Sequence, residues 1–303
     1  MRAFRGFAVR NMLVFFRNRQ TVFFSLLAPL IVFALYVMFL RGTYVDSIDG
    51  SMGALAPLVA SGDVDSLVNG LLLAGILGSS VITVPFGTLQ VIVEDREKLK
   101  DRDILATPAG RWQIVLGYFA AAALCALCVT LVLLTAGLAA LGAMGDMHWT
   151  GGDIAALYGL TVLGTLSSTA ISMALMLVFR STSACGAFLG ILSAAAGFVI
   201  GAYIPVAQFA TPVQTFCNLW PASGVCCLVR QALMRGLLGH IDAGIGGVDQ
   251  GAFVATVREV FGFEAVVGGE ALGAGAVLLY VAVVSAVCLA VDGVVYARMY
   301  ARR

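Results

Sequence analysis

Six long apolar segments without a charged side chain recur along the chain and restrict its fold more than any other feature. They cover residues 21–40, 67–93, 113–143, 154–179, 181–204 and 271–291. Each has 20 residues or more, which as a helix is enough to cross a hydrocarbon core about 30 Å thick. None shows the period-two alternation of a barrel strand. The sequence therefore predicts an all-α integral membrane protein, residues 1–303 forming a single transmembrane domain with six transmembrane helices.

The positions of lysine and arginine predict the orientation of these spans, because positively charged loops stay in the cytoplasm. Fourteen of the 18 basic residues fall in segments that alternate between the spans in the order this rule requires. Acidic residues collect in the other connections, around residues 46–65 and 242–270. We therefore expect both termini in the cytoplasm. The fourteen are Arg2, Arg5, Arg10, Arg17, Arg19, Arg96, Lys98, Lys100, Arg102, Arg111, Arg180, Arg298, Arg302 and Arg303.

Residues 1–20 have the pattern of an amphipathic helix that lies at the membrane interface. On a helical wheel one side carries apolar residues and the other carries arginines, as a helix at an anionic inner surface requires. A basic stop that only fixes topology is the alternative. The apolar side consists of Ala3, Phe4, Phe7, Val14 and Phe15, and the basic side of Arg2, Arg5, Arg10 and Arg17.

The fifth span carries small residues at helical spacing, which lets another helix approach closely. They are Gly186, Gly190, Ala194, Gly197 and Gly201. The neighbour belongs either to this chain, which we favour, or to a second subunit. Pro29 and Pro85 lie within predicted spans, where each removes a backbone hydrogen bond and predicts a kink or an irregular turn.

Residues 205–270 form the longest connection and are apolar for a loop. Pro205, Pro212 and Pro221 prevent one continuous spanning helix. We expect re-entrant or short interfacial helices on the outer face, because irregular backbone at membrane depth must be buried in protein or line a cavity. The glycine-rich residues 240–251 predict a loop. The adjacent Cys226-Cys227 pair could oxidise if exposed, although packing is the favoured interpretation.

The residues needed for nucleotide binding or enzyme chemistry are missing from the chain. A phosphate-binding P-loop requires a lysine after glycine, and the two lysines, Lys98 and Lys100, follow other residues. His148 and His240 are far apart in sequence, so we predict no metal site. The net charge of +1 gives no reason to expect a nucleic-acid partner. If ATP drives this protein, another chain must bind it.

Charge inside the membrane is the feature that an ion-coupled carrier would need. The predicted span interiors contain none; the exception is Asp292 near the cytoplasmic end of the sixth span, which we expect to pair with Arg298 or Arg180. This disfavours an ATP-independent channel or carrier. A structural membrane subunit remains a further alternative.

Residues 94–112 carry ten charged side chains with acids and bases interleaved. Such a segment binds lipid poorly but suits docking of another protein. The uncharged segment Leu105-Ala106-Thr107-Pro108 lies among these charges. We therefore expect this loop to contact a partner.

The chain resembles the type-2 ABC transporter permeases, the membrane subunits of exporters for drugs, antibiotics, peptides, lipids and polysaccharides. The similarity includes Arg17-Asn-Arg-Gln-Thr-Val-Phe-Phe-Ser-Leu-Leu-Ala-Pro29 before and within span one, and Ile104-Leu-Ala-Thr-Pro108 followed by Arg111 in the charged loop. Asn218 and Trp220-Pro221 occupy the place of the family's outer hairpin motif. Many members have glycine-threonine after the charged run, whereas this chain has Leu99-Lys100.

The resemblance implies a permease that works with a separate ABC ATPase, which would bind ATP and magnesium. It implies that residues 94–111 dock on that ATPase, and that a second permease copy or paralogue completes the path. It also implies a bacterial plasma (inner) membrane, and an amphipathic small molecule, drug, peptide or lipid as substrate. The coupling residues would be Glu94, Asp95, Arg96, Glu97, Lys98, Leu105, Thr107, Pro108 and Arg111.

Overall fold

The computed structural model describes residues 2–52, 59–106, 110–145, 147–246 and 249–299. Most of these residues are helical, and six of the helices are long and apolar enough to cross a membrane. This confirms the predicted all-α membrane fold. The candidate spans are Leu27–Ile48, Ser61–Glu97, Arg111–Met144, Gly151–Val178, Thr182–Val199 and Ala274–Arg298.

The helices follow in chain order with two short strands before the last. The first seven are α1 (Arg2–Arg17), α2 (Arg19–Ser25), α3 (Leu27–Leu35), α4 (Arg41–Met52), α5 (Ser61–Glu97), α6 (Lys100–Leu105) and α7 (Arg111–Met144), and a π-helical segment, Tyr36–Leu40, joins α3 to α4 within the first candidate span. The next five are α8 (Gly151–Val178), α9 (Thr182–Val199), α10 (Thr211–Asn218), α11 (Pro221–Ile245) and α12 (Ala252–Val260). Strands β1 (Ala265–Val267) and β2 (Glu270–Leu272) precede α13 (Ala274–Met299).

Helix α5 lies at the centre of the bundle. It packs against α2, α3, α7, α8, α9 and α11, and most of its apolar stretch is buried within the chain. Helix α13 lies on the outside, where it contacts α7, α8 and α11 and leaves most of its surface exposed. Because α5 is central, a displacement of its end can be transmitted to each of the helices that it contacts.

The two ends of the bundle differ in composition. One end, called here the charged end, contains α1, the connection from α5 through α6 to α7, the α8–α9 connection and the end of α13. The other, called the opposite end, contains α4, the α7–α8 connection, the end of α11, α12 and the β-hairpin.

The first span begins later than predicted, at Leu27 instead of residue 21, because the helix breaks at Leu26. Proline at position 29 has no N–H to donate to the carbonyl of Ser25. The hydroxyl of Thr83, on α5, donates to that carbonyl at 2.9 Å. The predicted irregularity at Pro29 is therefore present, and α5 satisfies the acceptor that the proline leaves free. Pro85 lies inside the continuous α5.

Two short elements in the connection before α13 differ from the prediction. Helix α11 continues to Ile245, so residues 240–245 are helical instead of a loop. Strands β1 and β2 form an antiparallel hairpin in which Val267 pairs with Glu270. Gly268 and Gly269 form its two-residue turn with φ values of 65° and 90°, which glycine adopts without strain.

Candidate coupling site at the charged end

The last turn of α5 holds an ion pair whose carboxylate is buried and whose guanidinium is partly exposed. The carboxylate of Asp95 is 1% exposed and accepts hydrogen bonds from both terminal nitrogens of Arg10, at 2.5 and 2.6 Å. It also accepts a bond of 2.8 Å from the hydroxyl of Tyr118, on α7. The ring of Phe7 packs edge-on against Tyr118. This group of residues fixes α1 to both α5 and α7.

The position of Arg10 corrects the predicted division of α1 into an apolar and a basic side. Arg10 faces the bundle together with the buried Phe15, while Val9, Leu13 and Phe16 are exposed. The hydrogen bond to Asp95 outweighs the partial burial of Arg10 and raises the pKa of its guanidinium, so Arg10 stays charged.

The next two residues of α5 bind the α8–α9 connection. Arg96 donates to the carbonyls of Leu177 and Phe179, at 3.1 and 2.7 Å, at the C-terminus of α8, where cations are favourable. Glu97 accepts from the backbone N–H and the hydroxyl of Thr182, at 2.9 and 2.6 Å, at the N-terminus of α9. Three consecutive residues of α5 thus contact four other helices.

Helix α6 carries the exposed charges of this end. Leu99 precedes it with φ 57° and ψ 13°, a left-handed conformation that glycine adopts easily and leucine rarely does. The side chains of Leu99, Lys100, Arg102 and Asp103 are exposed, whereas Asp101 is buried. Leu99 therefore keeps a backbone conformation that suits the glycine found at this place in many family members, and it exposes its side chain.

The remaining predicted coupling residues lie around α6. Lys98 forms an exposed ion pair of 2.6 Å with Glu94 one turn earlier in the chain. Arg111, at the start of α7, donates to the carbonyl of Ala297 near the end of α13, at 3.1 Å. Thr107 and Pro108 lie outside the described residues, as does the side chain of Leu105.

The charged end therefore separates two kinds of residue that look alike in the sequence. Asp95, Arg96, Glu97 and Arg111 bind other parts of this chain. The exposed residues of α6 and Leu99 leave side chains available at the surface. A force applied to α6 would reach α1, α7, α8 and α9 through the end of α5.

A cavity of about 290 Å³ lies beside this site, between the α1–α2 break, α5 and the start of α9. Its walls mix apolar side chains with uncharged polar ones, and its two charged residues form the Glu94–Lys98 pair. The lining residues are Val14, Phe15, Asn18, Gln20, Thr21, Gly87, Thr88, Gln90, Val91, Glu94, Lys98 and Thr182.

The small residues of α9 do not form the single packing face that was predicted. Gly201 lies beyond the end of the helix with φ 67°, and Gly197 contacts the ring of Tyr203. Gly186, Gly190 and Ala194 are exposed. The expected packing within the chain is therefore wrong for these three residues, and packing against a second subunit stays a prediction.

The predicted outer hairpin forms α10, α11, α12 and the β-strands. Pro205 precedes a short 3₁₀ turn, and Pro212 and Pro221 lie in the first turns of α10 and α11, where a missing N–H does no harm. Asn218 is buried, donates to the carbonyl of Val266 at 2.9 Å and accepts from Ser223 at 2.9 Å. Trp220 is the N-cap residue of α11.

The sequence did not single out the role of Arg230, a residue of α11. The guanidinium of Arg230 is buried and donates to four backbone carbonyls, those of Ile200, Gly201, Phe261 and Gly262, at 2.6 to 3.3 Å. It thereby joins the end of α9 to the segment after α12. Cys226 and Cys227 are buried and free, in line with the packing interpretation.

A search of curated proteins found no significant match. The family model described as ABC-2 family transporter protein matches residues 47–298, which is well over half of the chain. Because the match includes α5, the charged connection and every later span, the chain belongs to the ABC-2 transporter family.

Proposed function

We propose that this chain is the membrane-spanning permease subunit of an ABC exporter and that a separate ATPase subunit supplies the energy. Membership of the ABC-2 family supports a permease that works with an ABC ATPase. The sequence lacks the glycine-lysine of a P-loop, so ATP and magnesium would bind to the partner.

The observation that carries the proposal is the connection of the charged end to the rest of the bundle. The last three residues of α5 bind α1, α7, α8 and α9 through polar contacts of 2.5 to 3.1 Å. An ATPase that closes against α6 would displace the end of α5, and these contacts would carry the displacement to four helices. Only a difference in affinity between two permease conformations lets ATP binding shift their populations.

The ATPase would contact the exposed part of this end. We assign that role to Leu99, Lys100, Arg102 and Asp103, together with the neighbouring segment that contains Leu105, Thr107 and Pro108. Leu99 retains a strained backbone conformation, and strain of this kind collects at functional positions. An apolar side chain beside charges of both signs suits a groove on another protein.

In the proposed topology the charged end and both termini lie in the cytoplasm, and the membrane is a bacterial plasma membrane. The positive-inside rule supports this orientation. The exposed Val9, Leu13 and Phe16 give α1 an apolar face that suits the membrane interface. A second permease copy or paralogue would pack against the exposed small residues of α9, and the substrate would cross at that seam.

We propose an amphipathic small molecule, drug, peptide or lipid as the substrate. The cavity beside the charged end supports this class, because apolar and uncharged polar side chains share its walls. Phe23 and Phe24 of α2 are exposed and follow the lining residues Gln20 and Thr21 in the sequence. They would contact an apolar tail of the substrate. Export is the direction implied by the family resemblance.

Co-purification with a candidate ABC ATPase tests the proposal. The chain is expressed with a tagged ATPase, as wild type, as Lys100→Glu with Arg102→Glu, and as Arg258→Glu, an exposed arginine at the opposite end. We expect the wild type and Arg258→Glu to co-purify with the ATPase. The variant with Lys100→Glu and Arg102→Glu should not co-purify with it. No association of the wild type, or equal association of all three, would overturn the proposal.

A second candidate function, an ATP-independent proton-coupled carrier, rests on Asp292. This residue is fully buried in α13, and neither carboxylate oxygen has a hydrogen-bond partner among the described residues. The predicted pairing with Arg298 or Arg180 is therefore not formed. Transport by the chain alone in proteoliposomes, driven by a pH gradient and abolished by Asp292→Asn, would establish this function and replace the first.

A further inference from the structure

The start of α7 is fixed to the end of α13 at the charged end, immediately after the connection that contains α6. The ring of Trp112 lies directly on Gly293, where a Cβ atom would overlap with three carbons of the ring. Arg111 donates to the carbonyl of Ala297 at 3.1 Å. Because residues four apart share a face of a helix, Gly293 and Ala297 present one face of α13 to α7. Two consecutive residues of α7 therefore hold the last turns of α13.

Glycine at position 293 makes this close contact possible. Within a helix, glycine lowers stability by about 1 kcal/mol relative to alanine, but small residues let membrane helices and their neighbours pack closely. Trp112 is 47% exposed, so part of its ring covers α13 and the rest is open. The contact thus lies at the edge of the bundle, where it can be changed without opening a cavity in the core.

A third residue joins the end of α13 to the same site. Tyr296 is 2% exposed and belongs to the apolar cluster that contains Tyr118, with Phe7 packed against it. Tyr118 is the residue whose hydroxyl donates to Asp95 at the end of α5. The end of α13 is therefore packed against the side chains that hold α1, α5 and α7 together.

The opposite face of α13 is largely exposed along its length. It carries apolar residues at intervals of four that are 47–67% exposed, namely Leu279, Val283, Val287 and Val291. Helices α8 and α11 pack on the other side of α13. A helix at the edge of a bundle follows a conformational change when contacts hold it to the part that moves. The contacts with α7 are positioned to do this, because α7 begins where the α6 connection ends.

We propose that Trp112 is a positioning residue that transmits a displacement of the α6 connection to α13 through its contact with Gly293. This inference rests on the proposed function, because the ATPase would supply the displacement. Packed protein groups have low compressibility, so the ring pushes the backbone that it touches. The hydrogen bond from Arg111, one turn further along α13, opposes rotation of α13 about that contact. Helix α13 would then move together with α1, α8 and α9.

ATP turnover by a candidate ABC ATPase, titrated with nanodiscs that contain the chain, tests the inference. The permease concentration at half-maximal stimulation reports association, and the maximal stimulation reports coupling. The variants are Trp112→Ala, Gly293→Ala, the two together, and the conservative Trp112→Phe. Gly293→Ala should fold, because the displaced ring can turn toward its open side. Gly275→Ala is the matched control, since Gly275 also lies in α13 and faces open space.

We expect maximal stimulation to fall at least about threefold in Trp112→Ala and in Gly293→Ala, with the half-maximal concentration unchanged within about twofold. Because both changes remove the same contact, the double variant should couple no worse than either single variant. Trp112→Phe should keep more stimulation than Trp112→Ala, and Gly275→Ala should match the wild type. The unfolding temperature of each variant is measured in parallel.

Maximal stimulation by Trp112→Ala equal to that of the wild type would overturn the inference and leave the proposed function standing. Additive losses in the double variant, weaker association, or losses that follow the unfolding temperature would also overturn it, because the contact would then have only a structural role. No stimulation by the wild-type chain would overturn the proposed function and this inference with it.

Discussion

The ion pair between Arg10 and Asp95 predicts a large loss of stability when Arg10 is replaced by alanine. The Asp95 side chain is 1% exposed, and Arg10→Ala removes two of its hydrogen bonds, leaving the one from Tyr118. Removing one partner of a fully buried pair costs about 3–5 kcal/mol. The Arg10 side chain is 33% exposed, so water can reach the vacated position. We therefore expect the free energy of unfolding to fall by about 2–3 kcal/mol.

The pair between Arg41 and Asp65 is a matched control. It has a similar length, 2.7 Å, but its side chains are 53% and 50% exposed. Arg41→Ala should cost only about 0–1 kcal/mol, because exposed ion pairs contribute little. Equilibrium unfolding in mixed micelles, titrated with a denaturing detergent and followed by circular dichroism, measures both. Equal losses in the two variants, or a loss below about 1 kcal/mol for Arg10→Ala, would refute the argument from burial.

Three further predictions use the same unfolding measurement. Thr83→Val should lower the free energy of unfolding by about 1–3 kcal/mol, because it leaves the buried carbonyl of Ser25 without its donor. Thr43→Val, at an exposed position, should change it by less than about 0.5 kcal/mol. Equal effects would contradict the role of the Thr83 hydroxyl. Gly236→Ala should lower the free energy of unfolding by about 1–3 kcal/mol, because the added methyl group overlaps with the α7–α8 connection. Gly239→Ala, which faces open space, should raise it by about 1 kcal/mol. A gain in both variants would show that the connection is not packed against Gly236. Arg230→Gln should lose at least about 3 kcal/mol, since four buried carbonyls lose a charged donor, and a neutral result would contradict its bridging role.

The spans could be predicted from the sequence because length and hydrophobicity determine them directly. The break at Leu26 could also be anticipated, since Pro29 removes a donor. Its partner, Thr83, could not, because it is 58 residues away and the rotation of α5 was unknown. The Gly268-Gly269 turn is a recognised hairpin signal, and the strands were missed because each has only three residues.

The charged segment could be located in the sequence, but the contacts of its residues within the chain could not. A run of charges does not reveal which side chains face the bundle, so Asp95 and Arg96 looked like surface residues similar to Lys100. Their partners, Arg10 and the end of α8, come from distant parts of the sequence.

ATP hydrolysis by a candidate ABC ATPase, reconstituted with the chain in lipid nanodiscs, tests whether the charged end couples to the ATPase. The comparison is between wild type, Leu99→Gly and Arg258→Glu. Glycine relieves the left-handed strain at residue 99, so Leu99→Gly should fold at least as well as the wild type while losing the side chain assigned to the ATPase contact. We expect the wild-type permease and Arg258→Glu to stimulate ATP turnover, and Leu99→Gly, at unchanged or higher stability, to stimulate it less. Stimulation unchanged in Leu99→Gly, or none by the wild type, would contradict the assignment of Leu99 to the ATPase contact.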